Sequence, residues 1–124
     1  MVIKGTYLSI KDNSGASKVS CIHVYRGSYA MAGDVILVSV KSLRKKRRKF
    51  SKVKKGSVVR ALVLSTAKEY STERSFSIKT FINRAIILNK NNKPMGTRVL
   101  GPVDKRVRYS RFSRIASLSS GFFK

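Results

Sequence analysis

The run VILVSV at residues 35–40 constrains the fold most: five of its six positions are apolar, and only Ser39 interrupts it. A half-buried strand alternates apolar and polar residues. A run of strand length that scarcely alternates implies burial on both faces. In a small all-β protein, a closed or nearly closed barrel achieves that and also removes exposed edges. The neighbouring segments are of the same kind. TYLSI at 6–10 alternates with period two and enters the turn cluster Asp12-Asn13-Ser14-Gly15, and residues 19–25 read as the return strand. Gly33-Asp34 punctuates the chain before residue 35. Residues 58–64 are apolar except for Arg60, and 76–81 and 84–88 read as two more strands. No 3.6-residue apolar stripe precedes residue 100.

The expected fold is therefore mainly β: a five- or six-stranded, OB-like barrel. A single domain over 1–124 is expected, with the barrel in 1–103 and a short helical segment in 104–124. In that segment Asp104 follows Pro102 and Val103 and suits an N-cap. Lys105, Arg108, Arg111 and Arg114 recur every three residues. On one continuous helix this spacing slips by about 60° per step, so two short helical turns with a break near Ser110 are expected instead.

Composition enters through charge. The 124 residues carry 28 Lys and Arg against 5 Asp and Glu, a formal net charge of +23. Such a surplus is self-repelling unless a polyanion neutralises it, which leaves RNA, DNA and anionic membrane. The charge is also uneven. Residues 1–40 hold a net +2, 41–60 a net +11 without one acid, 61–103 a net +5 and 104–124 a net +5. The basic segment, 41–56, lies between two apolar strands and is expected as a long loop or hairpin tip. Its candidate phosphate ligands are Lys41, Arg44, Lys45, Lys46, Arg47, Arg48, Lys49, Lys52, Lys54 and Lys55, with Arg60 just beyond. Arg forks onto phosphate oxygens, Lys acts as a mobile point charge, and each neutralised phosphate releases counterions. Phe50, inside the run, is the best candidate for base stacking; Tyr25, Tyr29, Phe112, Phe122 and Phe123 are expected mostly in the core. No aromatic RNP motif supports sequence-specific reading of single strands.

Other chemistries find little support. No apolar run approaches the ~20 residues of a spanning helix, and no cleavable secretory signal opens the chain. The carboxylates are scattered: Asp12 and Asp34 in turn signals, Glu69 and Glu73 in a polar connection, Asp104 at a cap. Cys21 and His23 alternate on one expected strand without a neighbouring Asp or Asn to orient the imidazole. One Cys and one His cannot build a zinc site, and no phosphate-cradling glycine motif occurs. An enzyme is not expected, nor any cofactor or metal. Binding of RNA is.

Specific strings carry a resemblance. Asp12-Asn13-Ser14-Gly15-Ala16, Gly33-Asp34, Val53-Lys54-Lys55-Gly56, NKNNKPMGTRVLGPV at 89–103 and RIASL at 114–118 occur in order. Together they resemble the uL14 (L14) family of large-subunit ribosomal proteins over nearly the whole chain. The resemblance implies a five-stranded barrel with small C-terminal helices. It further implies a structural role at the subunit interface, binding large-subunit rRNA and bridging to small-subunit rRNA beside uL3-like and bL19-like proteins. A ribosome silencing or anti-association factor would dock on the C-terminal surface, where Thr97, Arg98, Arg114 and Ser117 would fall. The alternative is a free OB-like RNA-binding factor in translation. The chain departs from the family in a longer, more basic loop around 42–52, a shorter stretch before Gly33, Thr80-Phe81 where a Phe-Asp pair is common, and an atypical tail over 119–124. High Lys, Ser and Tyr usage and a first strand close to Met1 lead to the expectation of an organelle-encoded mitochondrial ribosome, with the bacterial cytoplasm as alternative.

Overall fold

The computed structural model describes residues 1–71, 75, 77–119 and 121–123. Five strands close into a barrel: β1 (Tyr7–Ile10), β2 (Ala16–Val24), β3 (Val35–Leu43), β4 (Val58–Ser65) and, after a small ribbon, β7 (Arg84–Leu88). Neighbours are antiparallel except at the closure, where β1 runs parallel to β7 with Ser9 opposite Arg84. The ribbon pairs β5 (Tyr70–Ser71) with β6 (Ser77–Ile78). The strand expected over 76–81 is thus reduced to two residues. Thr80 turns inward there and donates to the Thr66 carbonyl at 2.7 Å, while Glu73 and Phe76 lie outside the described residues.

Leu8, Ile10, Val19, Cys21, Val24, Ile36, Val38, Val40, Ala61, Val63, Ala85 and Ile87 fill the barrel interior. The run at 35–40 is not buried on both faces. Ile36, Val38 and Val40 point inward, while Val35, Leu37 and Ser39 are half-exposed outside. Two-sided burial belongs to β4 and β7. There Leu62, Leu64, Ile86 and Leu88 face away from the barrel and are covered by Val99, Val103, Val107, Phe112, Ile115 and Ala116. The C-terminal segment supplies that second core, and each fully buried Leu, Ile or Phe contributes about 1.5–3 kcal/mol.

The segment consists of β8 (Val103–Asp104), α1 (Lys105–Tyr109), α2 (Ser113–Ser117) and β9 (Phe122–Phe123), the last parallel to β8. The break falls at Ser110, whose hydroxyl donates to the Val107 carbonyl at 2.7 Å and accepts from the Phe112 amide at 3.2 Å. Asp104 caps α1 by accepting from the Arg106 amide at 2.9 Å. Its second carboxylate oxygen, Oδ2, is buried without a partner, and burial pushes its pKa above the usual carboxylate value.

Cys21 and His23 do not share a face. A bulge in the β2–β3 register between them turns Cys21 into the barrel and leaves His23 outside, edge-on to Tyr25 with ring centroids 5.1 Å apart. Burial also raises the Cys21 thiol pKa. Asp12 is more than a turn residue: 2% exposed, it accepts from the amide and hydroxyl of Ser14 and from the Ile87 amide at 3.0 Å.

Candidate nucleic-acid interface

The basic segment is only partly a loop. Lys41 belongs to β3, which continues to Leu43. Residues Lys45–Phe50 then form a 3-10 helix, and Lys54 to Ser57 close a turn back into β4. An unbroken string of cations has no side-chain pairs with which to stabilise a longer helix, so a short 3-10 turn is a reasonable outcome. Its base is anchored. The Arg44 amide donates to the Gly15 carbonyl and the Lys52 amide to the Ser14 carbonyl, each at 2.9 Å. Both ends of the 45–51 excursion are therefore tied to consecutive carbonyls of one turn. Gly15 holds φ +103°, and a β-carbon on it would sit 2.6 Å from the Ser51 hydroxyl oxygen and 2.9 Å from the Ser51 α-carbon. Val53, buried beneath, plugs the tip into the barrel end.

The candidate cations consequently divide by role. The Arg44 guanidinium donates to the Ile10 carbonyl at 3.0 Å, Lys52 Nζ to the Met95 carbonyl at 3.0 Å, and Arg60 to Asn92 Oδ1 at 3.1 Å. The first two brace the tip against the barrel, whereas Arg60, on β4, holds the turn that follows β7. Lys41, Lys45, Lys46, Lys49, Lys54 and Lys55 are exposed; the side chains of Arg47 and Arg48 are not among those described. Among the described residues the ion pair present is Arg26–Asp34 at 3.1 Å, remote in sequence from the tip, so no described carboxylate pairs with the exposed lysines of the tip. Phe50 is 85% exposed, which places its ring in solvent rather than against the barrel.

The second candidate group hangs from the same turn. Asn13 Oδ1 accepts from the Thr97 amide at 2.7 Å and the Arg98 amide at 3.4 Å, and Asn13 Nδ2 donates to the Thr97 hydroxyl at 2.8 Å. Thr97 therefore sits in a bend, not in a strand. Gly96 is required because a β-carbon there would lie 2.5 Å from Asn13 Oδ1. Thr97 and Arg98 are exposed, as are Arg114 and Ser117 on α2. Val99, Ile115 and Ala116 share the outer core, which ties the two stretches to one apolar cluster.

Asp12-Asn13-Ser14-Gly15 is thus a hub. Asp12 grips β7, Asn13 grips 97–98, and the Ser14 and Gly15 carbonyls hold the basic tip. Sequence reading recognised the turn chemistry but not these distant partners, which lie 29 to 85 positions away along the chain. Among the described residues no group of three His, Cys, Asp or Glu could hold a metal, and no helix is long and apolar enough to cross a membrane.

Against known families, the model described as ribosomal protein L14p/L23e matches residues 1–123.

Proposed function

Because the chain belongs to the ribosomal protein L14p/L23e family, a family of structural rather than enzymatic constituents of the large ribosomal subunit, we propose that it anchors in large-subunit rRNA through its basic tip. The observation that carries this reading is the tip itself: a 3-10 turn with Lys45, Lys46 and Lys49 exposed, pinned at both ends and unopposed by any described carboxylate. A rigid cationic projection gains from counterion release without first losing the entropy of ordering a loop. Lys45, Lys46, Arg47, Arg48 and Lys49 meet phosphates, with Lys41, Lys54 and Lys55 at the flanks. Arg44 and Lys52 set the angle of the tip, Arg60 on β4 holds the turn after β7, and Phe50 stacks on a base.

The face bearing Thr97, Arg98, Arg114 and Ser117 bridges to small-subunit rRNA and receives a silencing or anti-association factor, beside uL3-like and bL19-like neighbours. The 1–124 chain acts as one unit in the ribosome, in a mitochondrial matrix or a bacterial cytoplasm. Sedimentation tests the core of this reading. The protein remains with large subunits through a high-salt wash, whereas a free RNA-binding factor comes off. Pelleting with small subunits alone would overturn it.

A further inference from the structure

A second cleft, away from the basic tip, opens on the outer face of β1 and β2. Its volume is about 580 Å³, within the range of ligand-sized clefts, and Tyr7, Ser9, Lys18, Ala67, Phe81, Ile82 and Asn83 contribute to its lining. Ser9 and Lys18 are direct cross-strand partners, so Lys18 leaves the same face as Ser9. The opposite wall is the approach to β7. Its backbone is fixed: the Asn83 carbonyl accepts from the Ser9 amide at 2.9 Å, Asn83 Oδ1 accepts from the Ala67 amide at 2.8 Å, and Thr80 is anchored to Thr66. Between these anchors the Phe81 ring is 100% exposed, with Tyr7 at 63% and Ile82 at 41%. The pinned backbone thus presents the whole phenyl ring of Phe81 to solvent.

Resting on the rRNA reading above, we infer that this cleft receives one unpaired rRNA nucleotide, its base stacked on Phe81 with Tyr7 beside it and its phosphate on Lys18. The lining matches that chemistry. Two aromatic rings offer faces on which any base stacks, one cation meets the backbone phosphate, and Ser9 with the amide of Asn83 offers polar edges to the base. Charge favours RNA over an apolar protein segment. No carboxylate lines the cleft among the described residues, and the chain as a whole is at +23, whereas a purely apolar peptide would leave Lys18 covered and unpaired. Unlike the tip, which grips phosphates irrespective of pairing, this cleft selects a base already out of its helix.

The test uses the full chain with deproteinised large-subunit rRNA. Phe81→Ala removes a ring without intramolecular contacts, so its melting temperature stays at that of the parent. Its affinity for rRNA falls by about 5- to 100-fold, while the slope of affinity against salt is unchanged, because no phosphate contact is lost. Ultraviolet cross-linking of the parent yields a nucleotide adduct on the peptide bearing Phe81 or Tyr7. Parental affinity in Phe81→Ala, or a photo-reactive residue at 81 that captures a protein within assembled subunits, overturns the inference and leaves the tip untouched. Failure of the parent to bind rRNA at all overturns both.

Discussion

Replacing Gly15 by Ala tests whether the turn at 12–15 is the support of the basic tip. Two costs add at this position. The φ of +103° lies where an L side chain is strained, worth about 1–2 kcal/mol. The new β-carbon would also meet Ser51 at 2.6, 2.8 and 2.9 Å, the last from its α-carbon, so the tip backbone must shift; overpacking of this kind costs about 1–3 kcal/mol. Reduced freedom of the unfolded chain returns about 0.4–1 kcal/mol, for a net loss of roughly 2–4 kcal/mol by the same bookkeeping. Gly56 supplies the control. Its φ is +83° but nothing lies within 4 Å of its virtual β-carbon, so Gly56→Ala bears the backbone strain alone, about 0.5–1.5 kcal/mol. Urea unfolding of both variants, in salt sufficient to screen self-repulsion, isolates the clash as the difference. Ser51→Gly in the Gly15→Ala background removes two of the three close atoms and recovers part of the loss. Hydrogen exchange should also quicken at the amides of Arg44 and Lys52, which bond to this turn. Equal destabilisation of Gly15→Ala and Gly56→Ala would refute the claim that the turn and the tip are packed as one piece.

Converting residues 45–49 to Ser, with Arg44, Lys52 and Arg60 retained, leaves the barrel folded and flattens the salt dependence of rRNA binding. The log–log slope drops by up to about 4 if all five cations meet phosphates, and an unchanged slope measured by filter binding would exclude the tip as a clamp. Charge reversal at Arg98 or Arg114 impairs subunit joining or factor docking more than assembly; sucrose-gradient profiles with normal 70S-type joining but depleted large subunits would reverse that assignment. Asp104 gives a pH signature. Its folded pKa is raised by burial, so the native state holds its proton more tightly than the unfolded chain. The stability linked to that proton is fully present below the unfolded pKa and lost as pH rises through the folded one. Asp104→Asn keeps the cap acceptor and removes the buried charge, so at neutral pH it is at least as stable as the parent. Denaturant midpoints across pH should show the two converging as pH falls toward the unfolded value; a variant less stable at neutral pH than in acid, relative to the parent, would contradict this.

Much of the candidate site was legible because its signals are local. A net charge of +11 within residues 41–60 is visible without coordinates, and so is the Asp12-Asn13-Ser14-Gly15 turn. The cleft at Tyr7, Lys18 and Phe81 was not legible: these residues stand in three segments, and only the closure of β1 on β7 brings them to one face. The Cys21–His23 expectation failed for a similar reason, since period-two alternation does not register a bulge.

The chain's own pattern of β-branched runs, turn residues and cations determined a basic β-barrel with an interrupted helical tail, since each depends on neighbours a few positions apart. Tertiary structure decided which strands are covered twice. The run at 35–40 is half-open outside, whereas β4 and β7 are sealed by Val107, Phe112 and Ile115, because outer burial depends on where the tail packs and not on strand composition. It also decided what the cations do. Arg44, Lys52 and Arg60 carry the same charge as their neighbours, yet reach the Ile10 and Met95 carbonyls and the Asn92 side-chain amide, because only the closed barrel brings acceptors so distant in sequence to about 3 Å from each donor.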